Sequence, residues 1–364
     1  MPTIPVRTPS AAYDVVIEQE ILSSLHERLH AVFGPNHRRL FVITAPEIWT
    51  LWSERFLASF GNQTPSVLFL PSGEQHKRLG TVERLADELA QAGADRNSVL
   101  LAFGGGVVGD ITGFLAAIFM RGVDYVQIPT TVLAQVDSSI GGKTGVNLAA
   151  GKNLIGSFHH PRLVLADPAL LSTLPAPELR AGLFESVKAG LICDPALFHF
   201  MEGEREALLR GHTAALLHVV AESVRVKAAV VAADERENGL RMILNFGHTI
   251  GHALEAVTGY TTLLHGEAIG WGMRVALMAS QQRALLAAAD TARALALIDA
   301  MGLPPLPPLS PQALLAAAAS DKKNRSGVRR FVLLRAIGEA VVVEDLSDSE
   351  LLTAIRSSLA LEAR

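Results

Sequence analysis

With 364 residues, 49% of them hydrophobic and 19% charged, the chain has the composition of a globular protein with a large core, which excludes disorder. A formal net charge of -4 gives no long-range attraction for nucleic acid, and no basic run interleaved with aromatics offsets it, so nucleic acid is not an expected partner. The first residues lack the charged start and apolar core of a signal peptide, and no uncharged apolar run is long enough to span a bilayer, so a cytoplasmic protein with no membrane partner is expected.

Such a length exceeds what one core usually organises, and two domains meeting at a cleft are expected. Short β-branched runs recur at residues 13–17, 40–44, 67–70, 99–103, 125–128 and 163–166. Between them lie amphipathic stretches such as residues 81–91, where Leu85 and Leu89 stand four apart. This rhythm is βαβ and predicts an α/β domain over residues 1–167 with a Rossmann-like, mainly parallel sheet. From about Pro175 onward the chain is rich in Ala, Leu and Glu, which predicts a mostly α-helical second domain over residues 168–364. Strand signals return only at residues 331–334 and 340–343. The lone cysteine, Cys193, excludes an intrachain disulfide, and its apolar neighbours make it expected core filler.

The run of residues 98–103 leads straight into Gly104, Gly105, Gly106 and then Gly109 and Asp110, followed by a helical pattern over residues 111–120. Strand, glycine turn and helix in that order suit a nucleotide: glycines let backbone N–H groups approach a pyrophosphate, and a helix N-terminus adds favourable partial charge. Adjacent glycines also fit a plain tight turn that packs helix on strand. A second polar cluster follows the next strand, with Thr130, Thr131, Asp137 and then Lys143 after a glycine pair, as expected of a ligand crevice at strand ends. Asp110 is expected to cap the helix or to contact the ligand.

His248 and His252 stand four apart and share one face of a helix, with His265 a short way on. Three N or O ligands with one open position make a catalytic zinc site. Glu185, Glu255 and Glu267 are all eligible as the carboxylate, and one histidine could remain free for proton transfer.

At these positions the chain resembles the 3-dehydroquinate synthase family of sugar-phosphate cyclases. The resemblance is carried by residues 73–77, 103–110, 120–122, 128–147, 151–156, 184–188, 241–252, 265–267 and 321–323, in order over most of the chain. It implies Glu185, His248 and His265 as ligands of a divalent metal, zinc or cobalt, with His252 left to bind substrate or move a proton. It also implies a substrate pocket of Asp137, Lys143, Lys152, Asn153, Lys188, Lys227, Arg241, Asn245 and Lys322, with Arg121 reaching a neighbouring subunit of a homodimer. NAD would be held by Glu74, Lys77, Gly105, Gly106, Asp110, Thr130 and Thr131, together with Asp137, Lys143 and Lys152.

The implied activity converts 3-deoxy-D-arabino-heptulosonate 7-phosphate to 3-dehydroquinate and phosphate with catalytic NAD, a step of aromatic amino acid biosynthesis. A carboxylate and a phosphate on one small substrate call for these Lys and Arg side chains. The alternatives are another sugar-phosphate cyclase or a metal-dependent alcohol or glycerol dehydrogenase. Two departures from the family pattern stand out. Residues 43–47 read Ile-Thr-Ala-Pro-Glu where an acidic residue for the adenosine ribose is usual, and the residues flanking Glu185 differ while Glu185 and Lys188 are retained.

Overall fold

The computed structural model describes residues 2–34, 38–319 and 329–362. Lys322, with Asp321 and Lys323, lies outside the described residues. Contacts divide the chain into two units, the first comprising Met1–Leu174 with Leu216–Arg236, the second Pro175–Ala215 with Glu237–Arg364.

The first unit opens with β1 (Thr3–Arg7), whose alternating burial matches a strand with one face inward, paired antiparallel with β2 (Ala12–Ile17). Helix α1 (Leu25–Phe33), β3 (Leu40–Thr44), α2 (Pro46–Ala58), β4 (Ser66–Phe69), α3 (Leu79–Gln91), β5 (Val99–Gly104), α4 (Gly106–Ile118) and β6 (Asp124–Pro129) then alternate. After them come a hairpin of β7 (Lys143–Leu148) and β8 (Gly151–Phe158), and finally β9 (Leu163–Ala166). The main sheet has the order β1-β2-β9-β6-β5-β3-β4, and every pairing after β1 and β2 is parallel.

Alternate residues of the central strands serve different cores, Phe41, Ile43, Leu100 and Ala102 on one face and Val42, Val99, Leu101 and Phe103 on the other. A sheet covered on both faces explains why β3, β5 and β9 read as unbroken apolar runs. The α/β expectation with a mainly parallel sheet is met. The hairpin adds two strands where the sequence pattern predicts none. A Cβ on Gly145 would stand 2.5 Å from the Ile155 carbonyl oxygen, and one on Gly156 2.2 Å from that of Thr144, so glycine is what lets these strands pair.

The second unit carries α5 (Ala176–Cys193) and α6 (Pro195–Leu209), while α7 (Thr213–Ala233) starts in it and runs mostly within the first unit. Then follow α8 (His248–Val257), α9 (His265–Gln282), α10 (Ala288–Ala300), α11 (Pro311–Ala319), the hairpin of β10 (Phe331–Ala336) and β11 (Glu339–Val343), and α12 (Asp348–Glu362). The division therefore falls after Leu174, not at residue 167, and α7 crosses it. Its reason is packing: Leu170 belongs to a core of the first unit, and Lys227 of α7 pairs with Asp137. Cys193 is corrected as well. It is exposed, because Leu191 and Ile192 take the inner side of the last turn of α5.

Arg283, just beyond α9, donates through Nε to Glu350 Oε1 at 2.8 Å and through Nη1 to Asp345 Oδ1 at 2.6 Å, tying α9 to α12. Hydrogen bonds from Arg283 and Ser347 hold the Glu350 carboxyl down to about 2. A depressed carboxyl contributes stability above its unfolded value near 4.5 that is lost as pH falls through the folded value. Glu350→Gln is accordingly expected to lower Tm at neutral pH, with the gap to the unaltered protein closing from about pH 4.5 downward. A gap independent of pH in calorimetry would contradict this tie.

Candidate functional site

In the first unit, β5 ends at Gly104 and α4 begins at Gly106 with Gly105 as its N-cap, so strand, glycine turn and helix fall as expected. The glycines do two jobs. A Cβ on Gly109 would stand 2.6 Å from Gln127 Oε1, so Gly109 serves helix-to-strand packing, while one on Gly105 would stand 3.0 Å from Thr131 Cγ2. Gly105 and Gly106 open the helix and leave its first N–H groups without bulky neighbours, the geometry that an anion requires. Thr130 is buried, and its Oγ1 hydrogen-bonds no described residue. A buried hydroxyl of that kind beside a glycine turn fits a nucleotide.

Asp110 lies in the second turn of α4 and does not cap it, because the helix starts at Gly106, earlier than its sequence suggests. Its carboxylate pairs instead with Lys77, whose Nζ donates to Asp110 Oδ2 and to Asn153 Oδ1, each at 2.6 Å. Burial disfavours the Lys77 ammonium, and the Asp110 and Glu74 carboxylates outweigh it, holding its pKa above the ordinary lysine value. Burial likewise pushes the Asp110 carboxyl above the usual carboxylate range, against the pull of Lys77. Asn147 completes the network, donating to Glu74 Oε1 at 2.7 Å and accepting from the Asn153 N–H at 2.8 Å. Thus Glu74, Lys77, Asp110 and Asn153 are brought together, and Lys152 adjoins them in β8. Asn153 adopts φ +53° there, a left-handed conformation that asparagine tolerates better than most residues.

Lys227 donates to the Asp137 carbonyl at 2.7 Å and pairs with its carboxylate. Lys143 begins β7 and is exposed, and Arg121 is exposed at φ +68° beyond α4. Glu47, in the first turn of α2, accepts from the Ser72 hydroxyl at 2.7 Å, which lowers its pKa.

In the second unit, Glu185 on α5, His248 on α8 and His265 on α9 converge. Glu185 is buried, 3% exposed, and its Oε1 stands 3.9 Å from Nε2 of both histidines, with no hydrogen bond to any described residue. Two atoms each bound at about 2.1 Å to one zinc stand at most about 4.2 Å apart, so these spacings suit ligands of one ion. Lys188, one turn on, forms an ion pair with Glu185 Oε2. The other ring nitrogen of His248, Nδ1, faces the Phe246 carbonyl at 3.2 Å. A carbonyl only accepts, so Nδ1 carries the hydrogen and Nε2 presents its lone pair to the cluster.

Three glycines of α9 make the convergence possible. A Cβ on Gly266 would stand 1.8 Å from the Ala181 carbonyl oxygen of α5, one on Gly270 3.1 Å from the Phe184 ring, and one on Gly272 1.8 Å from the Gly247 carbonyl oxygen just before α8. Backbone meets backbone at both ends.

Of the three eligible carboxylates, Glu185 joins His248 and His265, while Glu267 Oε2 accepts from the Leu264 N–H at 2.8 Å and caps α9. Glu255 is buried three residues after His252, and its Oε1 lies 3.4 Å from His265 Nδ1. His252 falls with Glu255 and His265 and outside the Glu185 cluster. Arg241 is buried in the turn before α8, where Asn245 donates to Glu237 at 2.6 Å. Sequence reasoning missed Asn147 and Glu237, polar residues whose partners come from other segments. Among the described residues no helix is long and apolar enough to cross a membrane.

Two family models cover most of the chain, 3-dehydroquinate synthase N-terminal over residues 67–181 and 3-dehydroquinate synthase C-terminal over residues 182–324. A 3-dehydroquinate synthase of Solibacter usitatus (strain Ellin6076) is 47% identical over 99% of this chain and 100% of its own length. Among solved structures, a 2-epi-5-epi-valiolone synthase from Streptomyces hygroscopicus subsp. jinggangensis 5008, with NAD+ and Zn2+ bound, superposes with a TM-score of 0.88 at 32% identity, covering 96% of this chain and 98% of its own. A 2-deoxy-scyllo-inosose synthase complexed with carbaglucose-6-phosphate, NAD+ and Co2+ gives a TM-score of 0.88 at 26% identity, covering 98% and 100%.

The glycine contacts carry a prediction. Gly272→Ala is expected to lose most of its zinc on dialysis and to melt earlier, because its Cβ meets a backbone atom. Gly203→Ala on α6, with open space around it, is expected to keep its zinc and to melt no earlier, since alanine favours the helix. Metal retained in Gly272→Ala would show that the close approach does not set the site.

Proposed function

The chain belongs to the 3-dehydroquinate synthase family, and we propose on that premise that it converts 3-deoxy-D-arabino-heptulosonate 7-phosphate to 3-dehydroquinate and phosphate. The observation that carries this reading is the cluster of buried Glu185 with His248 and His265, in a chain matched along its length by a 3-dehydroquinate synthase. We assign metal binding to these three residues. When bound, NAD takes up and returns a hydride while a divalent zinc or cobalt polarises the reacting oxygens.

Everything else is done by the chain. The N–H groups at the start of α4 and Thr130 and Thr131 take the pyrophosphate, and Glu74, Lys77 and Asp110 fix the segments around it. To substrate binding we assign Lys143, Lys152, Asn153 and Lys227 of the first unit and, separately, Lys188, Arg241 and Asn245 of the second; lysine and arginine among them suit a carboxylate and a phosphate. Asp137, paired with Lys227, orients that lysine. His252, excluded from the Glu185 cluster, is left to move a proton at a substrate hydroxyl. We place the enzyme in the cytoplasm as a homodimer, with Arg121 contributed to the neighbouring subunit.

Another sugar-phosphate cyclase is the second reading, favoured by the likeness to the valiolone synthase. Arg241, Asn245 and His252, together with the higher identity to a 3-dehydroquinate synthase, support the dehydroquinate reaction. With NAD and zinc or cobalt, the protein is expected to release phosphate from the heptulosonate phosphate without net NADH absorbance. Phosphate release only from a substrate lacking the carboxylate would favour the second reading, and stoichiometric NADH would indicate a dehydrogenase. His248→Ala is expected to lose metal, whereas Lys152→Ala keeps it and raises KM; equal metal loss in both would overturn the division of roles.

A further inference from the structure

We propose that Glu255 is a positioning residue that holds His265 in the tautomer and ring orientation needed for metal binding; this rests on the metal-centre reading given above. Both histidines of the cluster point Nε2 at Glu185 Oε1, each at 3.9 Å. An imidazole presents a lone pair on one nitrogen only when its hydrogen sits on the other, and a partner that can only accept fixes that choice. For His248 that partner is the Phe246 carbonyl, at 3.2 Å from Nδ1. For His265 it is the carboxylate of Glu255, with Oε1 3.4 Å from Nδ1.

Glu255 is 3% exposed, on the face of α8 that also bears Gly251 and His252, and burying a carboxylate is unfavourable unless it is paired or hydrogen-bonded. His265 itself is only partly enclosed, its side chain 32% exposed, so packing alone does not lock its ring. His265 is also the first residue of α9, where a side chain has fewer neighbours from its own helix. The carboxylate reaches it from the last turns of α8, so the orientation of one ligand is set from the helix that bears the other.

Metal affinity of the purified protein, measured by competition with a chelating dye, tests this without reference to turnover. Glu255→Ala is expected to weaken zinc or cobalt binding about 10- to 100-fold, the range for loss of an outer partner of a ligating histidine. Glu255→Gln, which retains an accepting oxygen, is expected to recover most of that loss, and its cobalt complex to keep the visible spectrum of the unaltered protein. Glu255→Asp keeps the charge but withdraws the oxygen by about one carbon–carbon bond, roughly 1.5 Å, and is expected to weaken binding as Ala does even if Glu255→Ala fails to fold. Unchanged affinity in a folded Glu255→Ala or in Glu255→Asp would overturn the proposal, as would a Gln variant no better than Ala. Absence of metal from the unaltered protein would instead remove the metal-centre reading itself.

Discussion

The convergence of Glu185, His248 and His265 depends on how closely α9 lies against α5 and the start of α8. Glu185, His248 and His265 come from three helices, and each pair of helices would be held apart by ordinary side chains at the contact. Helices packed through side chains keep their axes about 8–10 Å apart. Gly266 and Gly272 remove the side chain where α9 meets the Ala181 and Gly247 carbonyls, so the ligands can meet across a few ångströms. The buried carboxylate at the centre is stabilised by its ion pair with Lys188.

The first unit solves a different problem by a different means. Around its glycine turn, segments far apart in sequence are held together. A chain of charge-assisted and amide hydrogen bonds does this, running from Glu74 through Asn147 and Asn153 to Lys77 and Asp110. Such bonds are stronger where water is excluded, and each unmatched member would be expensive. The network ties the hairpin of β7 and β8 to α4, which makes the hairpin part of the site's frame.

Much of this was legible in the sequence because it is local. The apolar runs of β3, β5 and β9 announce a sheet covered on both faces, and Gly104 to Gly109 after β5 announce the turn. His248 and His252, four apart, announce a shared helical face. What stayed hidden depends on tertiary partners. Of the two roles open to Asp110, helix cap or ligand contact, the cap is excluded by the helix start at Gly106, and its carboxylate pairs with Lys77, thirty-three residues earlier. The hairpin over residues 143–158 went unread because the glycines that let its two strands approach are the residue type that marks turns. Cys193 looked buried because its neighbours are apolar, and only the helical phase turns it outward. The roles of Glu185, Glu255 and Glu267 are equivalent on paper and differ only by which atom each carboxylate faces.

Alpha-9 bears a consequence in its own folding. Glycine weakens a helix by about 1 kcal/mol relative to alanine, and α9 contains Gly266, Gly270 and Gly272 within seven residues. Taken alone it is a poor helix. Its conformation is lent to it by the neighbours against which those glycines close, so secondary structure here follows tertiary contact. The contacts that hold α9 helical are therefore the same ones that bring His265 to Glu185.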